Sequence, residues 1–144
     1  MQEMFSKLSS YAALLGVIGA IGGGFMAKAH SMAYACMPMF FWPAPAIPVR
    51  KTIVDINDEL AEDAKNKLGF ENFSSDWEEV INDKDIDVVD ICTPNNTHPE
   101  MAIAAAKAGK HIICEKPLAR NASEAKEMYE AVKKSNIIHV VDFT

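Results

Sequence analysis

Residues 14–30 have the sequence LLGVIGAIGGGFMAKAH, in which an apolar run leads into three consecutive glycines and then into a helical pattern. The spacing Gly22-x-Gly24-x-x-Ala27 is typical of a dinucleotide-binding turn that ends in alanine. In such a turn one glycine permits the tight bend, the next lets backbone N–H groups approach a pyrophosphate, and the small third residue packs the helix on the strand. The stretch therefore predicts a buried strand, a phosphate-binding turn and a helix whose N-terminus holds the phosphates.

The glycine motif alone is a weak signal, because the glycines in the run allow several alignments and a purely structural turn would have the same sequence. The residues that follow favour a binding turn. Apolar and small side chains recur there at helical spacing, at Met26, His30, Ala33 and Met37. An acidic residue, Asp55, ends the next predicted strand. It lies further along the chain than the roughly 20 residues usual for this motif, and an insert rich in proline and aromatic residues accounts for the excess.

The composition describes one acidic domain. The 144 residues are too few for two full domains but enough for a core that buries roughly two thirds of the unfolded surface. The net charge is −6, and no basic cluster exceeds a pair such as Lys133-Lys134, which argues against nucleic-acid binding. The histidines lack the paired spacing of a metal site, and the cysteines lack CxxC spacing. We therefore expect no metal, a cytoplasmic protein and reduced, buried thiols at Cys36, Cys92 and Cys114.

The N-terminus allows a second interpretation. Lys7, the apolar run 11–27 and the sequence Ala33-Tyr34-Ala35-Cys36 together resemble a signal peptide with an anchoring cysteine. However, the glycines inside the run weaken a hydrophobic helix, and the run is shorter than the ~20 residues that cross a membrane. The dinucleotide turn explains the same residues better, so we expect no membrane association. Residues 1–13 are then a frayed lead-in.

Strand and helix patterns alternate along the rest of the chain. Predicted strands cover residues 14–21, 50–56, 70–73, 86–93, 111–114 and 137–143. Helix starts are predicted after the glycine turn and at Asn57 or Asp58, the capping box Ser75-Asp76-Trp77-Glu78, Pro99 and the motif Asn121-x-x-Glu124. This alternation predicts a doubly wound α/β fold, a single domain over residues 14–144 with a parallel sheet and helices on both faces.

Three polar clusters fall at the carboxyl ends of predicted strands. They are Gly22–Gly24, Pro94–His98 and Glu115–Pro117. Ligands of doubly wound sheets bind at these strand ends. The coincidence predicts that the three clusters form one site.

An unusual insert, residues 37–48, separates the first helix from the second strand. Its four prolines argue against a helix or a sheet interior, and its six large apolar side chains argue against a well-solvated loop. Two interpretations remain open. The insert packs on its own domain, or it forms an exposed patch that meets another domain or a second subunit.

Asp55 suggests which dinucleotide binds. A carboxylate at the end of the second strand accepts hydrogen bonds from both ribose hydroxyls of NAD, and the next residue, Ile56, offers no cation for the 2′-phosphate of NADP. The sequence therefore favours NAD. The alternative is that Asp55 only caps the following helix.

Four motifs in this order resemble the glucose-fructose oxidoreductase/inositol dehydrogenase (Gfo/Idh/MocA) family over residues 14–143. They are the glycine turn with residues 25–30, Thr93-Pro94-Asn95-x-x-His98, Ala108-Gly109-Lys110-His111 and Glu115-Lys116-Pro117. Residues 40–46, with 90–91 and 114–120, are most similar to the levoglucosan dehydrogenase branch of that family.

The resemblance implies a Rossmann fold that binds NAD and serves in oxidising the CH–OH group of a sugar, anhydrosugar or polyol. It implies a catalytic role for Lys116, whose ammonium would hydrogen-bond a substrate hydroxyl and favour the developing alkoxide; the alternative is an ordinary surface lysine. A non-enzymatic dinucleotide-binding module is the alternative function. The implied cofactor residues are Gly22, Gly24, Phe25, Met26, Asp55, Thr93, Pro94, Asn95, His98, Glu115 and Lys116.

Two features depart from the family pattern. Family members continue into a second domain that carries the substrate pocket and the acid/base residues, whereas this sequence ends at Thr144. We therefore expect the substrate domain to be absent and the chain alone to bind cofactor without efficient turnover. The last predicted strand contains Asp142 among apolar residues, and a buried carboxylate destabilises the fold unless it is paired or exposed.

Overall fold

The computed structural model describes residues 15–44 and 46–143, which form a six-stranded parallel sheet flanked by helices. The strands are β1 (Leu15–Ile21), β2 (Ile47–Val54), β3 (Asn72–Ser74), β4 (Val88–Ile91), β5 (His111–Glu115) and β6 (His139–Asp142). The helices are α1 (Phe25–Phe40), α2 (Asp58–Leu68), α3 (Trp77–Asn82), α4 (His98–Lys107) and α5 (Ala122–Ser135). The predicted lead-in, residues 1–13, lies outside the described residues.

The strand order is β3-β2-β1-β4-β5-β6, and every neighbouring pair is parallel. The chain moves outward from β1 to β3 and then returns to the other side of β1 with β4. This reversal is the topological switch point at which doubly wound sheets bind ligands. The predicted fold class is confirmed. The candidate site lies at the carboxyl ends of β1 and β4, where the strand order reverses.

The predicted helix boundaries are explained by their caps. Asn57 and Asn121 accept hydrogen bonds from the amides of Leu60 and Glu124 and begin α2 and α5 as expected. The N-cap of α3 is Asp76, which accepts from the Glu78 amide, so the expectation of a capping box from Ser75 is wrong by one residue.

The insert 37–48 is more regular than its prolines suggest. Helix α1 continues through Pro38 to Phe40, and β2 already begins at Ile47, so the expectation that helix and strand are excluded here is wrong. Pro38 lies in the last turn, where a missing N–H removes a single helical bond, and the Phe41 amide closes the helix on the carbonyl of Met37 at 3.0 Å. Pro48 pairs with β1, whereas β3 pairs only further along β2, and such a one-sided position tolerates a residue without N–H.

The large side chains of this insert face solvent. Phe40 is 81% exposed and Trp42 is 85% exposed, and Met39, Phe41 and Ile47 are also exposed. The interpretation in which these side chains pack on their own domain is therefore wrong. No helix among the described residues has the length and apolar character needed to cross a membrane.

Candidate cofactor site

The glycine turn connects β1 to α1 at the switch point. Gly22 has φ +97°, and a Cβ on it would lie 3.0 Å from the carbonyl carbon and oxygen of Cys92. A residue with a side chain is strained there in both backbone angle and space, so the bend requires glycine. Gly24 is the N-cap of α1, and a Cβ on it would meet nothing within 4 Å. The space in front of Gly24 is therefore open for a ligand.

The N-terminus of α1 has no local partner for its backbone amides. No side chain caps it, and its first turn contains no acidic residue. The first amides of a helix otherwise need a side chain, water or an anion. Phe25 and Met26 form this first turn; Phe25 is 81% exposed and Met26 is half-buried. The geometry fits a phosphate group at this point.

Asp55 faces the glycine turn. Its Oδ2 accepts a hydrogen bond from the Gly23 amide at 3.0 Å, and its Oδ1 accepts from the Ile56 amide at 2.7 Å. The cap of α2 is Asn57, so the alternative role of Asp55 as a helix cap is wrong. Both partners are backbone amides, which leaves acceptor capacity on a half-buried carboxylate.

A cleft of about 310 Å³ lies between the glycine turn, the end of β2 and the end of β4. This volume is within the range of small-molecule pockets. Among the predicted residues, Gly22, Gly24, Asp55, Thr93 and Pro94 line it. Its wall also includes residues that the sequence analysis did not assign to the cofactor, among them Gly23, Ile56, Ser75, Trp77, Cys92 and Met101. Three of these, Ser75, Trp77 and Met101, lie just before α3 or in α3 and α4, which no motif connected with the turn.

His98 lies below the cleft. It is 1% exposed, and its ring nitrogens lie 2.8 Å from the carbonyl oxygen of Thr93 and 3.2 Å from that of Leu118. His98 does not line the cleft, and its contact with the cofactor stays a prediction. The side chain ties the loop after β4 to the segment after β5. Asn95, in the same loop, is half-buried and does not belong to the cleft wall.

Glu115 and Lys116 end β5, two strands away from β1. Glu115 is 4% exposed, and its Oε2 accepts a hydrogen bond from the Lys116 amide at 2.9 Å. The Lys116 side chain is exposed, and neither residue lines the cleft. The predicted single site is therefore divided into a cleft at the switch point and a charged strand end beside it.

The Glu115 carboxylate belongs to a buried cluster around His30 that sequence reasoning missed. His30 Nδ1 lies 2.9 Å from Asp90 Oδ2, and Nε2 lies 2.7 Å from Asp142 Oδ2 and 3.4 Å from Glu115 Oε1. The Tyr34 hydroxyl donates to Asp90 Oδ2 at 2.7 Å. The expectation that Asp142 must be paired or exposed is confirmed by its pairing with His30. The sequence feature that could have indicated this cluster was Asp90, a carboxylate within the apolar strand β4.

The electrostatics of this cluster favour a charged imidazole. The hydrogen bond with Asp90 and the negative charges of Asp90 and Asp142 raise the pKa of His30 to about 9, against the lowering effect of burial. Burial raises the pKa of the Tyr34 hydroxyl and of the Cys92 thiol, which are half-buried beside Asp90. It also raises the pKa of the Cys114 thiol to about 12. At neutral pH the cluster therefore contains an imidazolium and neutral, unreactive thiols.

Comparison with known proteins supports the geometry. Residues 16–143 match the model of an oxidoreductase family, GFO_IDH_MocA, described by its NAD-binding Rossmann fold. Levoglucosan dehydrogenase of Pseudarthrobacter phenanthrenivorans is 67% identical over 126 residues, which cover 88% of this chain and 32% of that protein. Myo-inositol 2-dehydrogenase of Thermotoga maritima is 41% identical over 91 residues, which cover 63% of this chain and 27% of that protein.

The solved structures agree. A levoglucosan dehydrogenase in complex with NADH superimposes with a TM-score of 0.87 at 65% identity, over 88% of this chain and 34% of that one. A complex with NADH and levoglucosan gives the same values. The chain thus spans about a third of the length of these relatives.

Proposed function

The chain belongs to the Gfo/Idh/MocA family of oxidoreductases as its NAD-binding Rossmann domain, and we propose that it binds NAD in the cleft at the switch point. One observation carries the proposal. The open space before Gly24, at the uncapped start of α1, and the Asp55 carboxylate border one cleft of about 310 Å³. The family relatives solved with NADH support the same cofactor.

Each part of the cleft suits one part of the cofactor. Gly22 and Gly24 allow the backbone to approach a pyrophosphate, whose charge the α1 N-terminus stabilises. Asp55 accepts hydrogen bonds from the ribose hydroxyls while it keeps the turn in place through the Gly23 amide. Ile56, 84% exposed beside it, cannot neutralise a 2′-phosphate. The binding site therefore prefers NAD to NADP.

The proposed reaction is oxidation of a CH–OH group in a sugar, anhydrosugar or polyol. NAD supplies the hydride acceptor. Lys116, exposed at the end of β5, hydrogen-bonds the substrate hydroxyl and stabilises the negative charge that develops on its oxygen. Relatives named for levoglucosan and for inositol support this substrate class.

Calorimetry with NADH and NADPH tests the cofactor assignment. We expect tighter binding of NADH to the wild-type chain and a narrower preference in Asp55→Ala, because that change removes the charge that repels a 2′-phosphate. Asp58→Ala is the matched control, since Asp58 is an exposed carboxylate in the first turn of α2. Equal or tighter binding of NADPH to the wild type would contradict the role of Asp55.

Assays of NAD reduction with levoglucosan, myo-inositol and glucose test the reaction. Turnover by the chain alone that is lost in Lys116→Ala and kept in Lys84→Ala, a second exposed lysine, would show that this domain is a complete catalyst. NADH binding without turnover is the result we expect, because the acid/base residues of the family lie in a second domain, and a dinucleotide-binding module would give the same result.

The exposed insert forms a contact surface for another domain or a second subunit. Phe40 and Trp42 are almost fully exposed and lie among further apolar side chains, an arrangement typical of interaction surfaces. Size-exclusion chromatography of wild type and Trp42→Ser tests this. A wild-type chain that stays monomeric at high concentration and binds no hydrophobic dye would contradict it.

The cysteines are consistent with the proposed cytoplasmic location. Cys36, Cys92 and Cys114 are free thiols, as is usual in a reducing compartment. Cys114 is buried as expected, whereas Cys36 and Cys92 are half-buried, so the expectation of a buried thiol is wrong for these two. The location itself stays a prediction.

A further inference from the structure

We propose that His30 is a positioning residue for Lys116, acting as a buried imidazolium that holds together the ends of three neighbouring strands. The inference rests on the proposed function, in which Lys116 meets the substrate. It adds a component that lies outside the cleft: a charged contact between α1, which starts at the glycine turn, and the strand end that carries the lysine.

Three carboxylates converge on the His30 ring from adjacent strands. Asp90 comes from β4, Glu115 from β5 and Asp142 from β6, and Glu115 and Asp142 are direct partners in the β5–β6 register. The remaining titratable groups that face the ring are Tyr34 on α1 and Cys92 after β4, whose Sγ lies 3.5 Å from Nδ1. The imidazole is therefore the only cationic side chain among the described groups that contact this cluster.

The distances fit a proton on each ring nitrogen better than a metal ion. Nδ1 lies 2.9 Å from Asp90 Oδ2, and Nε2 lies 2.7 Å from Asp142 Oδ2. The Nδ1 contact is a charge-assisted hydrogen bond, whereas Nε2 lies at ion-pair distance from Asp142 without an aligned hydrogen bond. Two atoms that ligate one ion at ordinary bond lengths lie about 3 Å apart or more. The raised pKa of His30 supports the same assignment.

The link to Lys116 passes through the two oxygens of Glu115. Oε2 accepts the hydrogen bond of the Lys116 amide at 2.9 Å, while Oε1 is buried without a hydrogen bond and lies 3.4 Å from His30 Nε2. If the imidazolium is removed, Glu115 keeps a buried charge with no compensating cation. The carboxylate then relieves the cost by turning outward, and this movement weakens its bond to the Lys116 amide.

Amide hydrogen exchange measured by NMR on the full chain tests this link without any cofactor. In His30→Gln, which keeps a polar side chain but removes the charge, we expect exchange of the Lys116 amide to accelerate about tenfold more than that of Ile91 in the sheet core. His139→Gln, an exposed histidine on β6, is the matched control and leaves the ratio unchanged. Equal acceleration at Lys116 and Ile91 would show a merely structural role and would overturn the proposal.

Charge rescue provides the second readout. Asp142→Asn added to His30→Gln removes one of the uncompensated carboxylates, so we expect Lys116 exchange to return toward the wild-type rate. No return would overturn the proposal. If His30→Gln does not fold, Asp142→Asn is tested alone. We then expect the His30 ring to titrate at lower pH than in the wild type, as followed by NMR. An unchanged titration would contradict the proposal.

The hydrogen-exchange and titration results can be read separately from the test of the proposed function. Failure of NADH to bind the wild type, with the His30 readouts as expected, removes the proposed function and leaves the charged contact. Where turnover is measured, we expect His30→Gln to lower kcat while the KM for NAD stays close to its wild-type value, because the cleft is not altered.

Discussion

Asp55 directly follows β2 and Asp90 lies in β4, the two strands that flank β1, yet the two carboxylates differ in burial and in hydrogen-bond partners. Asp55 is half-buried, and its two hydrogen bonds come from the backbone amides of Gly23 and Ile56. Asp90 is 0% exposed and is bound by an imidazole and a phenol, with the Cys92 thiol 3.4 Å away. A carboxylate held only by backbone amides beside a cleft can accept further ligand hydroxyls, whereas one enclosed by side chains cannot. This contrast supports the proposed binding role of Asp55 and a structural role for Asp90.

The largest expected loss of stability comes from a change to the buried carboxylate, Asp90. Asp90→Asn removes the charge that His30 pairs with and should lower the free energy of unfolding by about 3 kcal/mol, the scale for breaking a buried pair. Asp55→Asn should cost less than about 1 kcal/mol, since its contacts are near the surface. Urea denaturation of the two variants measures the difference. Equal losses would remove the distinction between the two carboxylates.

The glycine turn gives a second contrast within the cleft. Gly22→Ala places a side chain on a residue with φ +97°, and such strain should cost about 1–3 kcal/mol. Gly24→Ala should change stability by less than about 1 kcal/mol, because its Cβ enters open space. That same space is where we place the pyrophosphate, so Gly24→Ala should weaken NADH binding in a folded chain. Calorimetry and thermal unfolding of both variants check this, and tight NADH binding by Gly24→Ala would contradict the placement.

The buried cluster should make the stability of the chain depend on pH. His30 has a pKa raised from 6.5 to about 9 in the folded chain. Its contribution to stability is therefore complete below the unfolded value and is lost as the pH rises through about 9. The Tyr34 and Cys92 groups, whose pKa values are raised by burial, act in the same direction at alkaline pH.

Comparing variants isolates the contribution of His30 to the pH dependence of stability. Denaturation of the wild type, His30→Gln and Asp55→Ala from neutral to alkaline pH should show a decline in the wild type and in Asp55→Ala. The decline should be smaller in His30→Gln, which retains the tyrosine and the thiol. We expect this effect to be smaller than that of Asp90→Asn, because other pairs of the cluster persist. Identical slopes in all three proteins would show that His30 does not titrate as described.

Features of the fold that depend on neighbouring residues were predictable from the sequence. The alternation of strands and helices, the caps at Asn57 and Asn121 and the bend at Gly22 follow from local periodicity and local hydrogen bonding. The cleft residues Gly24, Asp55 and Pro94 were predicted for the same reason, since each lies at the end of a strand or the start of a helix, whereas Thr93 was implied only by the resemblance to the family. The strand ends in turn follow from the parallel topology that alternation implies.

The tertiary structure alone decided what depends on packing between distant segments. His30 and Asp90 are separated by 60 positions, and no local pattern indicates that a helix will bring this ring against three strand ends. His98 fits a ligand motif by sequence, but only the fold shows that it is buried and contacts two carbonyl oxygens. The outward orientation of Trp42 depends on how far α1 and β2 extend. Side-chain charge and role follow from the groups that surround a residue in space, and a linear sequence determines those groups only through the folded chain.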